Sequence, residues 1–183
     1  TYNFMDSTPE RPVWTTSSLA RSTWADSSIF GKPHATGYYS SATDDSTVGN
    51  TDGTTTYYEH ETGTNQIKAG ATTGISASIE SGDFDLDQKG LAGDGEFMLK
   101  IRRVIPDFLT QTGDARVTLN LKNYPTDSQA SSSLGPFTTT TSTTKIDTRA
   151  RARAISLKVD NTSTTQHWKL GTFRLDIQPD GRR

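Results

Sequence analysis

Alternation of charged and apolar residues along segment 149–177 is the feature that most constrains the fold of this chain. Arginine occupies every second position of its first part, at Arg149, Arg151 and Arg153. Apolar residues then recur with the same period at Ile155, Leu157 and Val159. Because successive side chains of a strand point to opposite faces, we expect a strand whose arginines line one face while the apolar residues turn to another environment. A second predicted strand follows at 167–177 and stops before a turn at residues 179–181.

The amino-acid composition predicts an all-β protein. Hydrophobic residues make up 31% of the 183 residues, and threonine, serine and glycine are abundant. Threonine favours strands, and the chain shows no long apolar pattern of helical period. Cysteine is absent from the sequence, which excludes disulfides, thiolate metal sites and a cysteine nucleophile.

The charge balance argues against a general nucleic-acid-binding protein, because the formal net charge is -2 and such proteins carry an excess of lysine and arginine. Local basic patches are compatible with this balance. No apolar run approaches the roughly 20 residues of a membrane helix, so we predict no membrane segment. The chain begins with Thr1 inside a predicted strand. We therefore expect it to be a fragment of a longer polypeptide.

Turn clusters and strand candidates divide the chain into two predicted domains. Residues 1–66 contain about four short strands, close to the size of one β-propeller blade. Residues 67–74 are rich in glycine, threonine and alanine, and are predicted to be a linker. Residues 75–183 are predicted to form a C-terminal antiparallel β-sandwich from six strands. These strands are 75–80, 83–87, 97–105, 116–121, 153–159 and 167–177.

An acidic ladder mirrors the arginines, with carboxylates at Asp83, Asp85 and Asp87. The alternate spacing invites comparison with a calcium-binding loop, but the position that needs glycine is Gln88 and the twelfth position is Asp94. We therefore predict a solvated strand face, with metal binding as the minority alternative. The acidic ladder is also a candidate partner for the arginines within or between subunits. Contact of the arginines with DNA phosphates is the other alternative.

No catalytic or cofactor-binding motif is present in the sequence. The three histidines lie in separate predicted strands and lack metal-ligand spacing. Serine-hydrolase, Walker and dinucleotide-binding motifs are absent, so we predict neither an enzyme nor a cofactor.

Aromatic residues support a second class of function, a carbohydrate-binding β-sandwich that contacts host-surface glycans. We expect Trp24 and Trp168 to point inward, whereas the adjacent pair Tyr57 and Tyr58 places one ring on each face of its strand. Arg102 and Arg103 interrupt the apolar run 97–105, which predicts a β-bulge there.

Several segments together resemble the C-terminal portion of tail nozzle proteins of short-tailed phages, also called tail tubular protein B or packaged-DNA stabilisation proteins. They are IESGDFDLDQKG (79–90), EFMLKIRRVIPDF (96–108), GDARVTLNLKNYP (113–125), KIDTRARARAISLKVDN (145–161) and WKLGTFRLDIQPDGRR (168–183). Weaker similarity covers WTTSSLARSTWADSSIF (14–30) and YYEHETG (57–63).

The resemblance implies a virion protein of the phage tail whose last propeller blade precedes a β-sandwich. It implies a homo-oligomeric ring, usually of six copies, bound to the tail adaptor and other tail proteins. Packaged double-stranded DNA would pass through this ring without sequence-specific contacts. A nozzle subunit of this kind conducts the genome and helps to retain packaged DNA.

Overall fold

The computed structural model of the chain describes residues 2–8, 11–14, 21–38, 55–68, 71–87, 90–91, 97–124, 132–161 and 163–182. Almost all regular structure in these ranges is β-strand, and the sheets are antiparallel and open. The predicted all-β class is therefore confirmed. Gln88 and Asp94, used in the calcium-loop comparison, lie outside the described residues, as does the side chain of Asp87.

The elements are, in chain order, β1 (Tyr2–Thr8), β2 (Arg11–Trp14), β3 (Thr23–Ala25), α1 (Ser27–Phe30), β4 (His34–Tyr38), β5 (Thr55–Glu59), β6 (Asn65–Lys68), β7 (Ala71–Gly74), β8 (Ala77–Glu80), β9 (Phe84–Asp87), β10 (Gly90–Leu91), β11 (Phe97–Ile105), β12 (Phe108–Thr112), β13 (Ala115–Lys122), β14 (Ser132–Thr139), β15 (Ile146–Ala152), β16 (Ala154–Asn161), β17 (His167–Leu170) and β18 (Arg174–Arg182). They divide into two compact units: residues 1–63 with 68–70, and residues 64–67 with 71–183. Segment 67–74, predicted as a linker, contains the end of β6 and all of β7, which pair as a small sheet.

The first unit contains the sheet β3–β4–β5 and the pair β1–β2. The expected alternation of buried and exposed side chains is found in β5, where the Tyr58 ring is buried and the Tyr57 ring is 63% exposed. Trp24 differs from the prediction, because its side chain is 57% exposed. It lies opposite Ala35 on β4, whose small side chain provides little apolar surface to cover an indole.

The second unit contains two main sheets. One has the order β10–β9–β16–β13–β14, with β8 also pairing with β16, and the other has the order β15–β11–β18. Buried residues from both sheets form a single apolar cluster: Leu99, Ile101, Val104, Ala115, Val117, Leu119, Ile146, Ala150, Ala152, Ile155, Leu157 and Val159. Each sheet therefore has one face on the core and one face directed away from it.

The arginine-rich segment forms two strands, in contrast to the single predicted strand. β15 belongs to the three-stranded sheet, and β16 belongs to the six-stranded sheet. Arg153 lies between them, so it is not part of the β15 ladder. In β15 the even positions Ala150 and Ala152 are buried, whereas in β16 the odd positions, beginning with Ile155, are buried. This change in which positions are buried requires the strand to be interrupted. The interruption is at Arg153, where the chain crosses from the three-stranded to the six-stranded sheet.

The segment predicted as one strand at 167–177 is also divided. β17 pairs with β12, whereas β18 pairs with β11. Between them the backbone N–H of Gly171 donates to the carbonyl of Asp107 at 2.8 Å. A Cβ at this glycine would lie 2.9 Å from the same oxygen, so the close backbone approach requires glycine.

The predicted bulge in β11 is confirmed. Its register with both neighbouring strands shifts between Ile101 and Arg103. Between these two residues β11 has one residue more than β18 and one fewer than β15, and Ile101 and Val104 remain fully buried on the inner face.

Candidate functional site

Arg149 and Arg151 lie on the outer face of the three-stranded sheet. Both are exposed, and they alternate with the buried side chains of Thr148, Ala150 and Ala152. The hydroxyl of Thr148 donates to the carbonyl of Ile101 at 2.7 Å, which satisfies the buried polar group of this strand. The inward-facing side chains of β15 are thus fixed by packing and by this hydrogen bond. Its two arginines face outward and form part of the protein surface.

The two neighbouring strands add cations that sequence reasoning did not assign to this surface. Lys100 lies opposite Arg151 in the register of β11 and β15, and Arg102 and Arg149 both lie where this register shifts, between the pairs Ile101–Ala150 and Arg103–Asp147. Arg174 of β18 lies opposite Ile105 of β11. In the sequence, the adjacent pair Arg102 and Arg103 within an apolar strand was the available signal for these additional cations. Only the register between strands shows that they lie next to the arginines of β15.

Three carboxylates lie among these cations: Asp147, Asp180, and Asp176, which lies opposite Arg103 in the register of β11 and β18. Arg151 forms an ion pair with Asp180, and the Nε of Arg103 donates to Asp147 at 2.9 Å. The Nζ of Lys145 approaches the other oxygen of Asp147 at 3.1 Å. Hydrogen bonding from Arg103, and then from Lys145, lowers the pKa of Asp147 below its usual value. Asp147 is therefore firmly ionised, and these pairs fix side-chain positions more than they stabilise an exposed surface.

We name this surface the basic face. Its members are Lys100, Arg102, Arg103, Lys145, Arg149, Arg151 and Arg174, together with Asp147, Asp176 and Asp180.

The acidic ladder belongs to the other main sheet. Asp83 accepts a hydrogen bond from the Nζ of Lys122 at 2.6 Å. Asp85 lies opposite Ala154 in the register of β9 and β16, next to Arg153. The backbone N–H of Arg153 donates to the carbonyl of Lys122 at 3.1 Å. The structure therefore places Asp83, Asp85 and Arg153 at one sheet, while Arg149 and Arg151 lie on the other.

Phe84 and Leu86 of β9 pack against the core, and Asp85 between them therefore points to the outer side of this strand. Within the described residues, no group of three potential metal ligands is present. Pairing of the acidic ladder with the arginines of another subunit stays a prediction.

The first unit carries an aromatic surface around His34. The Tyr57 ring stacks on the His34 ring with centroids 5.4 Å apart, and the Phe30 ring approaches it edge-on at 4.8 Å. The Tyr57 hydroxyl lies 2.5 Å from Nδ1 of His34. Phe30 and Tyr57 are 59% and 63% exposed, so two aromatic rings are available on this surface.

The opposite face of the same sheet holds His60 between Trp24 and Arg21. The Trp24 and His60 centroids lie 4.8 Å apart, and the Nε of Arg21 donates to Nε2 of His60 at 3.1 Å. The Arg21 guanidinium also lies 4.1 Å from the Tyr58 ring centroid. Burial, and then the charge of Arg21, lower the pKa of His60, so the ring accepts a hydrogen bond as a neutral imidazole.

The chain matches no protein-family model, and no characterised protein is significantly similar to it in sequence. The fold and site define an all-β protein with a cation-rich sheet face and an exposed aromatic surface. Among the described residues, no helix has the length and apolar character that crossing a bilayer requires.

Proposed function

We propose that this chain is a structural component of a virion, a ring-forming subunit of a short-tailed phage tail nozzle, and that it has no enzymatic activity. The ring lines or supports the channel for DNA ejection, contacts the tail adaptor, and helps to retain packaged DNA. Six copies are the expected number. The sequence segments that resemble nozzle proteins support this proposal, and they include β11, β13, β15, β16 and β18.

The finer architecture belongs to the same proposal. Two sheets with a shared apolar cluster are the arrangement expected of a β-sandwich, in the second unit. The sheet β3–β4–β5 has three strands, one fewer than the four of a propeller blade, and is compatible with part of one. A blade of this kind buries its faces against neighbouring blades, and the 57% exposure of Trp24 fits a face that such a neighbour covers.

The ring proposal is supported most directly by the open edges of the three-stranded sheet. Within the described residues, β15 and β18 each pair on one side, with β11 between them. Open edges favour strand addition or close docking by another chain unless they are protected. A ring closes through heterologous contacts, in which one surface of a subunit meets a different surface of the next.

Electron microscopy of the particle that contains the chain tests this proposal. We expect density for the chain in a closed ring around an axial channel. Placement outside the tail, or a chain that stays a monomer with no ring in the particle, would refute it.

A carbohydrate-binding role is the second candidate, and it is supported by the exposed rings of Phe30 and Tyr57. Exposed aromatic rings provide apolar platforms with polar edges, a common requirement for contact with sugars. A glycan array should then show binding that Tyr57→Ala abolishes. Tyr124→Ala, which removes an exposed tyrosine of the other unit, is the matched control. Equal binding by both variants would exclude this surface.

A further inference from the structure

The basic face carries more positive charge than its own carboxylates neutralise. Seven cations and three carboxylates give it a net charge of +4, whereas the whole chain has a formal net charge of -2. The rest of the chain therefore carries a net charge of -6. This sheet surface therefore has a net positive charge in a chain whose overall charge is negative, and such a surface attracts polyanions that the average composition would repel.

Four of these cations are available for a partner. Among the residues that the structure describes, no carboxylate pairs with Lys100, Arg102, Arg149 or Arg174. Arg103, Lys145 and Arg151 differ, because each forms an ion pair with an aspartate of the same face. The unpaired cations thus account for the excess charge.

Their spacing suits an extended chain of phosphates. Neighbouring strands are about 4.8 Å apart, and side chains on one face of a strand recur about every 6.8 Å. Arg102 and Arg149 lie in the same interval of shifted register between β11 and β15, while Lys100 lies farther along β11 and Arg174 on β18. Guanidinium groups donate two parallel hydrogen bonds to a phosphate. The basic face includes no aromatic side chain for base stacking, so its chemistry fits a phosphate backbone.

We propose that the basic face binds the phosphate backbone of double-stranded DNA without reading its sequence. The biological meaning of this contact rests on the proposed nozzle function, but the binding is a property of the chain alone. Contacts with four phosphates predict a slope of about -3.6 for log K against log salt. The affinity of such electrostatic binding falls steeply as the salt concentration rises, and the DNA can slide along the surface.

Fluorescence anisotropy of a short labelled duplex, titrated with the whole chain from low to physiological salt, tests the proposal. The double variant Arg102→Gln, Arg149→Gln should weaken binding and reduce the size of the slope by about 1.8. Lys158→Gln with Lys169→Gln is the matched control, because it removes the same charge from β16 and β17. This control should leave most of the slope intact.

A second double variant, Lys100→Gln with Arg174→Gln, avoids the bulge and should give the same loss as the first. Circular dichroism and thermal unfolding check that the variants keep the fold. No binding at low salt, or equal losses in the face and control variants, would overturn the proposal. Binding of heparin fragments but not of duplex DNA would also overturn it.

Light scattering separates this proposal from docking between subunits. If the face variants abolish self-association while the duplex remains unbound, the basic face is a subunit contact and the DNA proposal is wrong. A closed ring that does not bind DNA would likewise contradict this inference and leave the nozzle proposal standing. Binding of DNA by a chain that forms no ring would support the inference and contradict the nozzle proposal.

Discussion

Replacement of Asn161 by aspartate tests how the end of β16 is held. The Asn161 side chain is 3% exposed, and it makes two hydrogen bonds with distant parts of the second unit. The indole Nε1–H of Trp168 donates to its Oδ1 at 2.7 Å, and its own Nδ2 donates to the carbonyl of Ile75 at 3.1 Å. Asn161→Asp keeps the volume and the bond from Trp168, but it replaces the donor to Ile75 with an oxygen.

The expected loss depends on pH. A hydrogen bond contributes about 1 kcal/mol, and burial of a carboxylate that keeps one donor costs about 2 to 3 kcal/mol more. We therefore expect a destabilisation of about 3 to 4 kcal/mol at neutral pH. Burial raises the pKa of the introduced carboxyl, so the folded variant binds a proton that the unfolded chain releases above about pH 4. Its stability deficit should grow by up to about 1.4 kcal/mol for each pH unit above that point.

Urea unfolding from pH 4 to pH 8, followed by tryptophan fluorescence, measures this difference between variant and wild type. Asn161→Leu is the control, because it removes both hydrogen bonds without adding a charge, and its deficit should not change with pH. A deficit of Asn161→Asp that is small at neutral pH, or equal at both ends of the range, would refute the reasoning.

Three further predictions concern the core and two titrating groups. Leu119→Ala should destabilise the chain by about 2 to 5 kcal/mol in urea unfolding, since Leu119 is fully buried, whereas exposed Leu109 should tolerate alanine within about 0.5 kcal/mol. Hydrogen bonds from Ser156 and then Asn120 lower the pKa of Glu80, so its contribution is present above the unfolded pKa and is lost as pH falls through the folded one. The stability difference between wild type and Glu80→Gln should thus vanish in acid, and a constant difference would contradict this. An NMR titration of His60 should have its midpoint below the ordinary value of about 6.5. Arg21→Gln should raise that midpoint, and an unchanged midpoint would exclude the charge of Arg21 as a cause.

The strands that the sequence predicted well are those with many apolar residues and a clear stop. The predicted strand 97–105 coincides with β11, and the predicted strand 116–121 lies within β13. Apolar residues alternate with polar ones in β13, whereas β11 is an apolar run interrupted by Lys100 and the arginine pair, and turn-forming residues lie near both strands. Strand propensity and the apolar pattern therefore suffice to predict the all-β class and the presence of these two strands.

The sequence did not predict which sheet each strand joins. A period of two indicates which face of a strand each side chain occupies, but it carries no information on which strands pair. The crossing between sheets at Arg153 was therefore missed. The signal was present, because buried positions change from even in β15 to odd in β16. β12 and β14 were missed for another reason: their exposed and half-buried residues produce a weak apolar pattern.

The candidate site was predicted in part, for the same physical reason. Arg149 and Arg151 are visible from local alternation, but Lys100 and Arg174 join them only through pairing between strands far apart in the sequence. Long-range register depends on how whole sheets pack, which a local pattern does not encode.

The alternation of β15 has a consequence for how this chain can diverge over evolution. Two of its four buried positions hold alanine, Ala150 and Ala152, which face the apolar core and tolerate little increase in volume. Its outward positions contact solvent, where exchange of one charged residue for another changes stability little. Mutations at the two sets of positions are thus selected by different forces. Related chains should keep the alanines and vary the arginines whenever the partner of this surface changes.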